Sequence, residues 1–240
     1  MPPSSPLRIS AKNLGQLALP GFCPRDFWLG LHYDLPFGGP FPGIFSSLDS
    51  FSKKVVHAHF DRFNRAPPWL SALGEFRSYI SPPNARTFYL EDAATGIRLT
   101  GAPDGILVRV DGSKTIVDYK TGRHTAGQDQ LFPMYEIQLD GYAMIADRVG
   151  LGPVEQIALV YTEPVTDGDP ELLDGALTDD GFSMGFRAKI VPVSLDANKL
   201  RPLLEEARRI YDATEPPQGA RNCQNCANFD TLVQASARWA

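Results

Sequence analysis

GAPDGILVRVDGSKTIVDYKTG, residues 101–122, decides the reading of this chain. Ile106, Leu107, Val108 and Val110 read as one strand, and Thr115, Ile116 and Val117 open a second. Asp111-Gly112-Ser113 between them is hairpin-turn chemistry. Closing the hairpin brings Asp104 opposite the Tyr119–Thr121 region. Asp118 and Lys120 are two apart and share one face of their strand. Two carboxylates and an ammonium therefore meet at one end of a hairpin. Carboxylate oxygens suit Mg²⁺ or Mn²⁺, which keep waters and accept phosphate oxygens. Lys120 is a candidate to polarise an attacking water or hold a phosphate. An Asp-x-Lys tripeptide is common, so a surface hairpin with an incidental ion pair remains the plain alternative.

The next segment, TGRHTAGQDQLFPMYEIQLDGYAMIADRVG (121–150), reads as a helix opened by Pro133 and stopped at Gly150. Gln138 and Tyr142, spaced i and i+4, lie on one of its faces. They read either as a surface amide and a core ring, or as groups that contact nucleic acid or support the site.

Gly101 to Asp104, Asp118 to Gly122 and Gln138 to Tyr142 stand in order as Gly-x-x-Asp, Asp-x-Lys-Thr-Gly and Gln-x-x-x-Tyr. This combination resembles the PD-(D/E)XK nuclease superfamily, in particular its RecB-like branch of CRISPR-associated exonucleases and small stand-alone nucleases. The resemblance implies a restriction-endonuclease-like α/β core, with a mixed central β-sheet flanked by helices, and metal-dependent hydrolysis of DNA. It assigns catalysis to Asp104, Asp118 and Lys120, and metal binding to Asp104, Asp118 and the backbone carbonyl of Tyr119. Gln138 and Tyr142 would contact DNA or shape the site. It also implies an upstream histidine ligand on a helix. SLDSFSKKVVHAHFDRFNRAPPWL (47–70) offers His57, with His59 as the other candidate. Phe51, Val55, Val56, Phe60 and Phe63 form its expected apolar stripe. The family often has a glycine four residues before that histidine; here Lys53 stands there.

Net charge is −5, which argues against nonspecific coating of nucleic acid. An enzyme needs only a local positive lane. Lys53, Lys54, Arg62, Arg65, Lys114, Lys120, Arg123 and His124 are its candidate members. Salt-sensitive DNA affinity follows.

There are three cysteines: Cys23 in Phe-Cys-Pro-Arg, and Cys223 and Cys226 in a Cys-x-x-Cys. No apolar leader or spanning stretch is evident, so a reduced, cytoplasmic setting is expected, with thiols rather than disulfides. In the RecB-like branch an N-terminal Cys-Pro-Arg and three C-terminal cysteines tie the chain ends through an iron–sulfur cluster. Here the fourth cysteine is missing, and such a cluster normally takes four. An iron–sulfur cluster completed by Asp26, Asp230 or water, a zinc site and a metal-free remnant all stay open.

One domain spanning 1–240 is expected: a mobile start (1–10), a mainly helical region (11–95), the nuclease core (96–195), and a helix with the Cys-x-x-Cys tail (196–240). PFGGPFPGIFSS (36–47) reads as an irregular loop whose aromatics suit base stacking or packing. VEQIALVYTEP (154–164) and GFRAKIVPV (185–193) read as strands, and 196–213 as a helix capped by Asp196. Two function classes follow: a Mg/Mn-dependent deoxyribonuclease, acting in DNA repair or CRISPR spacer acquisition with partner proteins, or a non-catalytic nucleic-acid-binding or assembly subunit.

Overall fold

The computed structural model describes residues 6–33, 42–81, 83–125, 130–168 and 176–238. At its centre stands the hairpin. Strand β5 (Gly105–Arg109) runs antiparallel to β6 (Lys114–Thr121), with Gly105 opposite Val117 and Val108 opposite Lys114. Asp111 closes the turn by accepting from the Ser113 backbone N–H (2.9 Å) and hydroxyl (2.7 Å). Val110 falls in that turn and is exposed, rather than continuing the strand.

Two further strands extend the sheet on the β6 side. β7 (Val154–Pro164) pairs parallel with β6, and β10 (Phe186–Val193) pairs antiparallel with β7. On the other side β2 (Phe76–Ile80) pairs antiparallel with β5. The result is a mixed five-stranded sheet, in the order β10-β7-β6-β5-β2. Two short strands between β7 and β10, β8 (Leu177–Thr178) and β9 (Gly181–Phe182), form a separate ribbon.

Alternation along the strands splits the core in two. Leu107, Val117, Tyr119, Ala158 and Val160 face helix α3 (Gly43–Phe63) and meet its Val56 and Phe60. Ile106, Ile116, Ile157, Leu159 and Tyr161 face helix α4 (Phe132–Arg148). Every strand of β6 and β7 thus buries both faces, as parallel pairing requires. This is the expected mixed sheet flanked by helices.

The N-terminal region departs from expectation in three places. Residues 7–10 form strand β1 (Leu7–Ser10), which pairs parallel with β4 (Ile97–Thr100); β3 (Tyr89–Asp92) flanks β4 on its other edge. Leu7 and Ile9 are buried there, so this stretch is held by a partner some ninety residues away. Segment 11–95 therefore carries β2 and β3 as well as helices. Finally, residues 43–47 of the expected loop belong to α3. Pro42 is extended and directly precedes the first turn, where its missing N–H costs nothing. Phe37 and Phe41 lie outside the described residues.

Helices α1 (Ala11–Gly15) and α2 (Pro24–His32) pack beneath the sheet, α1 directly on α4. Helix α5 (Leu200–Tyr211) follows β10, and Asp196 caps its leading turn by accepting from the Asn198 N–H at 3.1 Å. Helix α6 (Gln224–Ser236) returns to α2, bringing the two ends of the chain together.

Candidate active site and cysteine cluster

Beyond Gly105 and Val117 strands β5 and β6 diverge. The Tyr119 N–H that would continue the ladder instead donates to Asp104 Oδ2 at 2.9 Å. The carbonyl of Tyr119 projects from the same edge of the strand, because the N–H and C=O of one strand residue point the same way. Asp118 and Lys120 point to the opposite sheet face, where Lys120 Nζ lies 2.5 Å from Asp118 Oδ2. That contact is an ion pair by distance, yet Oδ2 is buried without a well-directed hydrogen bond. Asp118 Oδ1 accepts from Gln138 Nε2 at 3.1 Å, and the same amide donates to the Tyr142 hydroxyl at 2.7 Å.

Asp118 is 4 % exposed. Burial pushes its carboxyl up to about 6; Lys120 opposes that rise and Asp104 adds to it. Burial likewise raises the Tyr142 phenol, so it stays a neutral hydroxyl. Gln138 and Tyr142 are both buried behind Asp118. In this arrangement they hold a carboxylate, and neither presents a surface to DNA.

Two motif glycines have local reasons. A Cβ on Gly101 would stand 2.3 Å from Tyr142 Cε1, so the first motif is shaped to the ring of the third. Gly122 has φ 138°, a left-handed conformation that lets the chain leave β6 after Thr121.

Helix α3 closes the site from the other side. Lys53 Nζ lies 2.6 Å from Asp104 Oδ1 and 2.7 Å from Asp49 Oδ2. Burial works against this ammonium, but the two carboxylates outweigh it and hold its pKa above the ordinary lysine value. Asp49, Lys53, Val56 and Phe60 are spaced i, i+4, i+7 and i+11, which makes them one row along the helix. Phe51, Val55 and Phe63 of the expected apolar stripe are exposed instead.

His57, the expected histidine ligand, lies on the same helix. One turn beyond Lys53, its ring stacks on Tyr79, with centroids 4.1 Å apart and planes 7° apart. Burial lowers its pKa. His59, the other candidate, has its Nδ1 3.0 Å from the Arg65 carbonyl oxygen.

Asp49 and Asp104 open onto a cleft of about 650 Å³. Lys12, Lys120 and Arg123 give it positive charge, and Phe45, Tyr135 and Tyr161 give it aromatic walls. Lys120 Nζ also sits 3.9 Å from the centre of the Tyr135 ring. The basic lane is thus narrower than expected. Lys114 lies at the far end of β6, donating to the carbonyls of Gly112 and Gly152. Lys12, unremarked in the sequence, belongs to the lane. It was not legible because α1 reaches the cleft through the β1–β4 pairing and its packing on α4.

The three cysteines come together where the chain ends meet. Their sulfurs lie within 4.8 Å of one another, with Cys23 Sγ 3.5 Å from Cys226 Sγ. Cys23 precedes α2 and Cys223 precedes α6, so two helix N-termini converge on the sulfurs and favour thiolate. Burial opposes ionisation of Cys23, but the Ala220 and Asp26 backbone groups outweigh it and lower its pKa. Burial pushes Cys226 up to about 12. Asp26 and Asp230, the carboxylates expected as a fourth ligand, are engaged elsewhere. Asp26 accepts from Asn225 Nδ2 at 3.0 Å, and Asp230 takes both arms of Arg25, at 3.1 and 2.7 Å. Both pairs link α2 to α6, so protein contacts also tie the termini.

A family model described as the PD-(D/E)XK nuclease superfamily matches residues 44–228, from the first turn of α3 into α6. No curated protein matches. Eleven chains of known structure match. One, titled "Crystal structure of SSO0001", is 14% identical with a TM-score of 0.46, covering 86% of this chain and 78% of that one. The family match runs over most of the chain and includes the carboxylate hairpin, both flanking helices and the downstream cysteines. The fold is the restriction-endonuclease-like one, and the chain belongs to the PD-(D/E)XK nuclease superfamily.

Proposed function

We propose that this protein is a Mg²⁺- or Mn²⁺-dependent deoxyribonuclease of the RecB-like branch, acting as an exonuclease in DNA repair or CRISPR spacer acquisition. One observation carries the reading: the buried Asp118 carboxylate, paired with Lys120 and facing Asp104 across the hairpin mouth. A buried carboxylate with one oxygen short of a directed hydrogen bond suits a hard cation, and the donors are all oxygen. Asp104, Asp118 and the Tyr119 carbonyl would hold the metal, with His57 as the further side-chain ligand. The metal supplies a water of lowered pKa and charge neutralisation at the phosphate. Lys120 orients the scissile phosphate or the attacking water. Gln138 and Tyr142 are positioning residues that fix the Asp118 carboxylate. Lys12 and Arg123 draw the DNA backbone into the cleft. The whole of 1–240 acts as one unit, in which the N-terminal β1 and α1 complete the cleft.

The test is cleavage of end-labelled single- and double-stranded DNA by the full chain with Mg²⁺ or Mn²⁺. The expected products carry 5′-phosphates, and Lys120→Ala is expected to lower the rate by roughly 10²–10³-fold. Intact DNA with the wild-type protein would sink the reading. DNA binding without turnover, unaffected by metal, would assign the chain to the non-catalytic class.

The cysteine cluster is the second metal site of this proposal. Three sulfurs, with no further ligand-type side chain grouped with them among the described residues, suit a thiophilic ion, either zinc completed by water or an incomplete iron–sulfur centre. Protein purified without oxygen is expected to carry zinc or iron by elemental analysis, with visible absorption only if a cluster is present. Cys23→Ser is expected to abolish that metal content and lower the melting temperature. Metal at background level in the wild-type protein would leave only the Arg25–Asp230 and Asn225–Asp26 contacts tying the termini.

A further inference from the structure

Lys53 stands at the carboxylate site in a way that neither pattern nor family assigns. Its ammonium touches Asp104 Oδ1 and Asp49 Oδ2, and its side chain is 25 % exposed. The other oxygen of Asp104 already accepts from the Tyr119 N–H. Oδ1 is therefore the atom through which Asp104 meets a cation, and Lys53 is on it. The position is built into the helix. Asp49, one turn earlier, holds the ammonium in an i,i+4 pair, while Val56 and Phe60 in the same row anchor that face in the core.

We propose that Lys53 is the resident counter-ion of the carboxylate site, and that a divalent metal binds by exchanging with its ammonium on Asp104. The inference rests on the nuclease reading of that site. An ammonium and a divalent cation cannot both sit at contact distance from one carboxylate oxygen, because like charges a few ångströms apart repel by several kcal/mol at the dielectric of such a site. Metal affinity is then reduced by the fraction of molecules in which Lys53 holds Asp104. Asp49 keeps the released ammonium within the site, so the exchange needs a side-chain rotation and no movement of α3. The same arrangement limits the fold's exposure to an unpaired acidic cluster, since Lys53 balances Asp49 and Asp104 before any metal arrives.

The test is Mn²⁺ binding to the full chain without DNA, followed by calorimetry and by loss of the free-ion paramagnetic signal. Lys53→Met, which keeps the stem and removes the charge, is expected to bind Mn²⁺ about tenfold more tightly than wild type. Lys53→Arg, which keeps the charge, is expected to stay near wild type. In the cleavage assay the half-saturating Mn²⁺ concentration of Lys53→Met should fall in step. Equal or weaker Mn²⁺ binding by Lys53→Met overturns the proposal. Should the Met variant fold poorly by circular dichroism, Lys53→Gln carries the same expectation. Asp118→Ala separates the two levels of the argument. If it binds Mn²⁺ as well as wild type, the assignment of the metal to this site fails. If it loses binding while Lys53→Met shows no gain, only the Lys53 proposal fails. Absence of Mn²⁺ binding in every protein overturns both.

Discussion

Asp118→Asn is expected to lower metal-dependent DNA cleavage by about 10³-fold or more while making the metal-free protein more stable. The two effects have one origin. Folding buries Asp118, and burial lifts its carboxyl from 3.8 to about 6. The folded chain therefore binds this proton more tightly than the unfolded chain does. The stability gained from that protonation is complete below pH 3.8 and is lost as the pH rises through about 6. At pH 7.5 the ionised side chain opposes folding, only partly relieved by Lys120. Asparagine keeps an acceptor for Gln138 Nε2 and removes the charge. The gain is on the order of 1–3 kcal/mol, with the attraction to Lys120 already counted in the shift. Thermal melts in EDTA across pH 4–8 check this. The variant should melt higher at pH 7.5, and the gap should close toward pH 4. Adding Mn²⁺ should raise the melting temperature of the wild type and leave Asp118→Asn unmoved, because a ligand stabilises only the state that binds it. A variant less stable than wild type at pH 7.5 in EDTA would show that the Lys120 ion pair outweighs the burial penalty.

The hairpin was legible because it is local. Asp111-Gly112-Ser113 announces the turn, and period-two alternation puts Asp118 and Lys120 on one face. The Gln138–Tyr142 spacing was legible for the same reason, as an i,i+4 pair inside a helix with clear start and stop signals. Which of its two readings applied was not, since only the crossing of α4 over β6 brings Gln138 onto Asp118. Helix α3 misled for a definite reason. Its apolar residues are spread around the axis, and of the expected stripe only Val56 and Phe60 lie on the buried face. The true inner row carries Asp49 and Lys53 where it passes the site, and Val56 and Phe60 where it passes the core. A helix that borders a charged site buries polar residues, so hydrophobicity alone points away from it. The signal that was present is the i,i+4 Asp49–Lys53 pair in line with Val56 and Phe60. The β1–β4 pairing had no local signal. Four residues with two apolar side chains are consistent with a strand or a loose end, and the deciding partner is remote.

Another dependency in the site runs from Gly101 to Asp118 through the Tyr142 ring, and it yields a large expected effect away from the charged groups. A Cβ at position 101 would lie 2.3 Å from Tyr142 Cε1 and 2.6 Å from Cδ1. Both are far inside the ~3.5–4 Å separation of carbon atoms in contact. Gly101→Ala therefore forces the ring away, and the ring carries the hydroxyl that Gln138 shares with Asp118. Overpacking of this kind costs about 1–3 kcal/mol, or a melting temperature lower by roughly 2–4 °C per kcal/mol in a chain of this length. The cost belongs to the contact, not to the backbone, because Gly101 is not among the glycines with positive φ. Tyr142→Ala is expected to be destabilising by itself, through the cavity left by the ring. Adding Gly101→Ala on that background should cost little or even stabilise, since alanine restricts the unfolded chain more than glycine does. The double-mutant cycle should thus show a coupling of at least about 1 kcal/mol. Cleavage should follow the same logic in Gly101→Ala alone, with a loss of about 10–100-fold, as when a group supporting a metal ligand is disturbed. Equal destabilisation by Gly101→Ala in both backgrounds would mean that the ring has room to move, and that the first and third motifs are not fitted to one another.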